Sequence, residues 1–326
     1  MGEVAMTSPV VANMAVAFPE EKITVLTEGR LAQLFEDIPK IKIEGIDLKK
    51  DRGFFKTLKI YRRLKEEGFD KVIDLQDSAR SKILVWLFRR DKVPCHVIKN
   101  GKKEKKRLVS GENRIQMQTT MERYREVFQR AGLPFSLPQK PEHRTIPAPY
   151  AITVITGEKR GKWYGVAPFA KYKGKSYPTE KAAKLIKMLA KEENDRVFVF
   201  CGADEKKTAD KITADIPNAV TVFGKVSLKG EVELMSNLDV MVSTDSAAMH
   251  LASLAGTRVV SIWGATHRYA GFLGWGQDED DAVELDLECR PCSVYGNRPC
   301  HNGDYPCIKE IEPEMIYERV MNKPSL

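Results

Sequence analysis

The chain has 326 residues, enough for about two domains, and 42% of them are hydrophobic, enough for large cores. No apolar stretch approaches the roughly 18 residues of a membrane span. The opening "MGEVAMTSPV" has neither the basic segment nor the long apolar segment of a signal peptide, so a cytoplasmic location is expected. The net charge of +8 points to an anionic partner: nucleic acid, a phosphorylated lipid surface or a nucleotide-linked substrate.

The first stretch, "MGEVAMTSPVVANMAVAF", reads as a turn and a helix starting at residue 1. A doubly wound domain opens with a buried strand before that turn. Its absence here suggests that Met1 is an internal methionine of a longer gene. "KITVLT" (residues 22–27) is a strand, "FFKTLKIYRRLKEEGFD" an amphipathic helix ending at Gly68, and "KVIDLQ" (71–76) a strand. Residues 99–107, "KNGKKEKKR", carry six Lys or Arg and one Glu. Asn100 and Gly101 favour a loop there, and no aromatic residue interleaves with the lysines, which weakens a single-strand nucleic-acid reading. "MERYREVFQRAGLP" is a helix. Pro134, Pro138, Pro141, Pro147 and Pro149 then crowd a polar linker, which places a domain boundary at 150.

The second half repeats the same grammar. "WYGVAPFA" (163–170) is a strand and loop, and "PTEKAAKLIKMLAKE" a helix with Pro178 at its start. "RVFVFCG" (196–202) is a strand, "AVTVFG" another, and "SLKGEVELMSNL" (227–238) a helix. Next comes "DVMVSTDSAAMHLASLAGTRVVSIWGATH" (239–267). It reads as a buried strand, an acidic turn, a short helix opened by Ser246 and stopped by Gly256, and a second buried strand. Ligands of open α/β sheets bind beyond the carboxyl ends of the strands, and a helix N-terminus there offers free N–H groups to a diphosphate. "EPEMIYERV" is a final helix. The alternation argues for α/β with parallel sheets.

Several of these segments resemble glycosyltransferase family 9, the ADP-heptose:lipopolysaccharide heptosyltransferases. "STDSAAMHLASLAGTRVVSIWGAT" is similar to the family signature, "MGEVAMTSPVV" to its N-terminal glycine-acid loop, and "KGKSYP" to its phosphate loop. "CRPCSVYGNRPCHNGDYPC" is similar to its cysteine-bearing C-terminal segment. The likeness is weak over residues 30–150. It implies a GT-B fold: an acceptor-binding Rossmann-like domain over 1–150 that lacks its first strand, and a nucleotide-sugar domain over 151–310, the two facing a cleft. A C-terminal helix over 311–326 would pack back on the first domain. The implied reaction is an inverting, metal-independent transfer of heptose from ADP-L-glycero-D-manno-heptose to an inner-core lipopolysaccharide sugar, at the inner face of the cytoplasmic membrane. Another nucleotide-sugar transferase or an epimerase on the same fold is the alternative. A basic nucleic-acid-binding protein is the alternative of another class, for which no module is found.

Roles then fall on particular residues. The resemblance makes Glu3, where the family has Asp, the base that deprotonates the acceptor hydroxyl. The leaving diphosphate needs fixed donors and cations. Lys175 with Lys173 would supply charge, and Ser246 and Ala247 their N–H groups. Asp245, itself anionic, is expected to accept from sugar hydroxyls or to brace its loop, with His250 behind it. Glu205 is placed for the ribose hydroxyls, Val226 for the adenine edge and Thr266 for the donor. Lys102, Lys103, Lys105 and Lys106 would meet an anionic acceptor. Cys289, Cys292, Cys300 and Cys307, spaced C-x2-C-x7-C-x6-C, leave structural zinc, free thiols and disulfides all open.

Overall fold

The computed structural model describes residues 1–47, 50–51 and 53–322. The chain divides into two compact units, one holding residues 3–101 and 118–138, the other 102–117 and the chain from 139 onward. The boundary lies at Pro138–Gln139 rather than at 150. Residues just after it already bond within the second unit: Ile146 N donates to Ser236 Oγ at 3.0 Å, and His143 Nδ1 lies 3.1 Å from the Gly256 carbonyl.

In the first unit the helix Gly2–Ala17 comes before any strand, as the sequence suggested. Strand β1 (Ile23–Glu28) pairs in parallel with β2 (Ile41–Ile46), and β3 (Val72–Asp74) with β4 (Cys95–Val97). The two pairs are separate sheets. One apolar cluster serves both. Ile60, Tyr61 and Leu64 of helix Phe54–Lys65 bury against Leu84, Leu87 and Phe88 of helix Ala79–Arg90, with Leu26, Val72 and Cys95 from the strands packed on them. The helix Ala79–Arg90, not anticipated from sequence, starts at a reciprocal cap. Ser78 Oγ accepts from Ser81 N at 3.2 Å while Ser81 Oγ accepts from Ser78 N at 2.8 Å. Thr119 and Glu122 open helix Thr120–Arg130 in the same way.

The second unit is built on one parallel sheet of β5 (Trp163–Ala167), β6 (Arg196–Val199), β7 (Ala219–Thr221), β8 (Val240–Thr244), β9 (Val259–Trp263) and β10 (Ala282–Glu284). Their order is β10-β9-β8-β5-β6-β7. From β5 the chain winds outward through β6 and β7, then returns to the other side of β5 and winds outward again. That is the doubly wound Rossmann order, with its switch point between β5 and β8. Strands β5, β8 and β9 are buried at every position, as runs covered on both faces must be.

Two sequence expectations change here. The helix Pro313–Met321 is part of the second unit's core. Ile316 and Val320 are buried in the cluster that holds Leu185, Leu189 and Val260, and Arg258, paired with Asp281, donates to the carbonyls of Arg319, Val320 and Asn322 at its end. Residues 323–326 of the expected C-terminal segment lie outside the described residues. The basic run is also not a loop of the first domain. Lys102–Val109 is a helix of the second unit, because Leu108 has an apolar seat against Met117 and Ala270.

Candidate active site

The site is assembled where β5 and β8 end. After β5 the chain makes a tight loop. Tyr177 N donates to Pro168 O at 2.8 Å, Ser176 Oγ bridges the N–H and carbonyl of Ala170, and Lys173–Lys175 form one 3-10 turn. That turn docks on the loop after β9, where Ala265 N donates to Gly174 O at 2.8 Å. The approach is so close that a Cβ on Gly174 would stand 2.7 Å from Ala265 Cβ. After β8, Thr244 Oγ1 donates to Phe169 O at 3.2 Å and ties the third loop to the first.

These ties bring Lys175, Asp245 and Thr266 together. Lys175 Nζ lies 3.0 Å from Asp245 Oδ2, and Thr266 Oγ1 donates to the same oxygen at 2.8 Å. Asp245 is 5% and Thr266 0% exposed. The buried Asp245 therefore has a local cation and a local donor. It holds the ammonium at the switch point, and an ammonium with three donors can still address another anion. Beside this group the helix Ala247–Leu254 begins. Its N-cap, Ser246, makes no side-chain bond to the first turn; its hydroxyl lies 3.3 Å from Ser243 Oγ instead. The N–H groups of that turn take no side-chain cap from Ser246 and stand at the positive end of the helix dipole. Burial pushes the His250 imidazolium down to about 4, with Lys175 adding to the shift and Asp245 opposing it, so His250 is neutral near pH 7. Its buried Nδ1 has no hydrogen-bond partner among the described residues.

Sequence reasoning missed the brace behind the site. Arg290, 5% exposed, donates through Nε to Gly264 O at 2.6 Å and through Nη2 to Thr266 O at 3.0 Å and Glu284 Oε2 at 2.9 Å. It fixes the loop that presents Thr266. Burial acts to raise the Glu284 carboxyl, but Arg290, His267 and Arg268 together hold it below the usual range. Gly296, with φ of +77°, lies against the Lys175 stem, since a Cβ there would meet Lys175 Cδ at 2.6 Å. The segment carrying Arg290 and Gly296 thus backs Lys175. All six cysteines of the chain are free, and among the described residues no three His, Cys, Asp or Glu groups are gathered to hold a metal. Cys307 is buried, Cys289 exposed, and Cys292 Sγ lies 3.8 Å from the Ala265 carbonyl.

The other anticipated residues are scattered. Lys173 is exposed at the turn. Glu205 stands just before helix Lys206–Thr213 without capping it, and its carboxylate accepts from Gly202 N at 2.8 Å. Val226 is half-buried, packed beside Gly230. Of the acceptor lysines, Lys102, Lys103 and Lys106 are exposed, whereas Lys105 is 8% exposed and lies 4.6 Å from the Phe272 ring centroid. Glu3 is in the first unit, exposed in the first turn of helix Gly2–Ala17. Its backbone is pinned, because the buried Tyr124 hydroxyl and Thr7 Oγ1 both donate to its carbonyl, at 3.3 and 2.8 Å. Its carboxylate has no ion pair among the described residues.

Residues 57–301 match the model of glycosyltransferase family 9 (heptosyltransferase). Lipooligosaccharide heptosyltransferase 2 of Haemophilus influenzae is 23% identical over 98% of this chain and 95% of its own length. The enzyme of that name from Campylobacter jejuni is 28% identical over 98 residues, so the matched stretch spans only 30% of its length and 30% of this chain. Among solved structures, the E. coli ADP-heptose LPS heptosyltransferase II superposes with a TM-score of 0.71 at 17% identity, covering 98% of this chain and 94% of that one. That likeness shows the fold, GT-B with two Rossmann-like units.

Proposed function

Because the chain belongs to glycosyltransferase family 9, we propose that it moves a heptose, or a similar sugar, from an ADP-sugar to an inner-core lipopolysaccharide acceptor at the membrane face. One observation carries the reading: Lys175, Asp245 and Thr266 gather at the switch point beside an uncapped helix start. That group is suited to a nucleoside diphosphate. The Lys175 ammonium and the N–H groups of Ser246 and Ala247 would take the diphosphate oxygens. Asp245 would keep Lys175 in place, so that the cation is aimed before charge develops on the leaving group. This arrangement supports departure of ADP without a divalent metal.

Inversion needs a base on the acceptor hydroxyl, and Glu3 is our candidate. Its carboxylate is solvent-facing and its backbone fixed. Thr266 would touch the donor, Glu205 the ribose and Val226 the adenine edge. Lys102, Lys103 and Lys106 offer exposed charge to an acceptor rich in carboxylates and phosphates. The test is transfer to a lipid-A-linked inner-core acceptor from a panel of ADP-, UDP- and GDP-sugars, with and without EDTA. Turnover restricted to ADP-sugars and indifferent to EDTA supports the reading. Turnover with UDP-sugars alone, or epimerisation without acceptor, replaces it.

A further inference from the structure

The helices Phe54–Lys65 and Ala79–Arg90 carry a second basic stretch besides the 99–107 run that stands out in the sequence. "FFKTLKIYRRLK" holds five Lys or Arg and no acid; "ARSKILVWLFRR" holds four and no acid. The helices run side by side in the same direction. At their starts Arg80 donates to Asp51 O at 2.9 Å, and at their ends Lys65 Nζ lies 2.7 Å from Asp91 Oδ2. Both apolar stripes bury in one cluster with Ile46, Leu26 and Val72 of the strands, so the opposite stripes face away from that cluster. On one, Phe55, Lys59 and Arg62 recur at helical spacing; on the other, Lys82, Trp86 and Arg89 do.

These outward positions are unusual in two ways. Phe55 is 84%, Trp86 54% and Phe54 49% exposed, which places three large aromatic side chains in water. Lys56, Lys59 and Arg62 have no acidic partner among the described residues, while Arg90 sits over the Trp86 ring at 5.7 Å. Aromatic side chains set among unpaired cations suit an interface with anions outside and an apolar phase beneath. Single-stranded nucleic acid would also stack on such rings; the lipid-linked acceptor of the proposed function favours the lipid surface. No described helix is long and apolar enough to cross a membrane, so contact would be peripheral.

We propose that this helix pair docks the protein on an anionic lipid surface, with Phe54, Phe55 and Trp86 entering the headgroup region and Lys56, Lys59 and Arg62 meeting lipid phosphates. The proposal deepens the reading of a lipid-linked acceptor by naming the membrane-facing surface, and it is tested without the donor. Sedimentation with vesicles of phosphatidylglycerol and phosphatidylcholine measures binding of the full chain. Wild type should bind vesicles containing phosphatidylglycerol, release as salt rises, and ignore pure phosphatidylcholine. Each neutralised charge should weaken binding about fivefold, so Lys56→Gln/Lys59→Gln/Arg62→Gln should lose on the order of a hundredfold. Phe55→Ser/Trp86→Ser should lose at least about tenfold. All five positions are exposed, and unchanged thermal melting would show that the variants fold. Transfer to a detergent-dispersed acceptor should stay at the wild-type rate in both variants, which separates this proposal from the catalytic reading. Wild type that ignores phosphatidylglycerol, variants that bind vesicles as well as wild type, or a preference for DNA over vesicles overturns it.

Discussion

At residue scale the instructive position is Asp245. A carboxylate beside an uncapped helix start at the switch point looks misplaced until its partners are seen. Lys175 and Thr266 satisfy one of its oxygens, so the pair presents a held ammonium, with the negative charge already engaged. Glu3 is the opposite case, a carboxylate with a fixed backbone and an open side chain. Glu3→Gln keeps size and helix and removes the proposed base. It should lower kcat by about 100- to 10,000-fold and leave ADP affinity unchanged. Near-wild-type turnover would remove Glu3 from the mechanism. His250 makes a prediction on stability. Its folded pKa, about 4, lies below the ordinary histidine value of about 6.5. The unfolded chain therefore binds more protons between those values, and stability present above pH 6.5 is lost as pH falls toward 4, by at most about 1.4 kcal/mol per pH unit. Urea midpoints at pH 5, 6 and 7.5 should converge for wild type and His250→Asn as the pH falls. Parallel curves would show that His250 does not titrate with folding.

At the scale of elements, the strands and helices around the switch point are legible because the pattern is local. β8 and β9 are unbroken apolar runs, and Gly256 marks the helix stop between them. What is not legible depends on distant partners. β4 and β10 have three residues each, too few for a period. Helix Ala79–Arg90 announces itself only through Ser78 and Ser81. The basic run looks like a loop until Leu108 is given Met117 and Ala270 to pack on. Arg290 stands between two cysteines that draw the eye, and its targets lie 24 and 26 residues away. Glycine 174 carries the element-scale prediction. Gly174→Ala forces its new methyl group into Ala265, an overpacking that costs about 1–3 kcal/mol. The melting temperature should fall by several degrees and ADP binding should weaken with it, as read by calorimetry. A variant with wild-type melting would mean that the Lys173–Lys175 turn does not need its dock on Ala265.

At the scale of the molecule, alternating strands and helices gave the α/β class, and the linker prolines came within a dozen residues of the observed boundary at Pro138–Gln139. The second unit's sheet is complete in Rossmann order, whereas the first unit's strands form two separate pairs. The central claim concerns the complete one: its switch point binds the ADP portion of the donor through Lys175. Isothermal titration of the full chain with ADP, UDP and GDP, repeated on Lys175→Ala, tests it most directly. A hydrogen bond to a charged group is worth roughly 1.5–3 kcal/mol, so the account predicts that ADP binds best and that its Kd rises about 10- to 100-fold in the variant, measured below a melting temperature that falls because Asp245 loses its cation. ADP affinity unchanged by Lys175→Ala, or UDP bound as tightly as ADP, would contradict it.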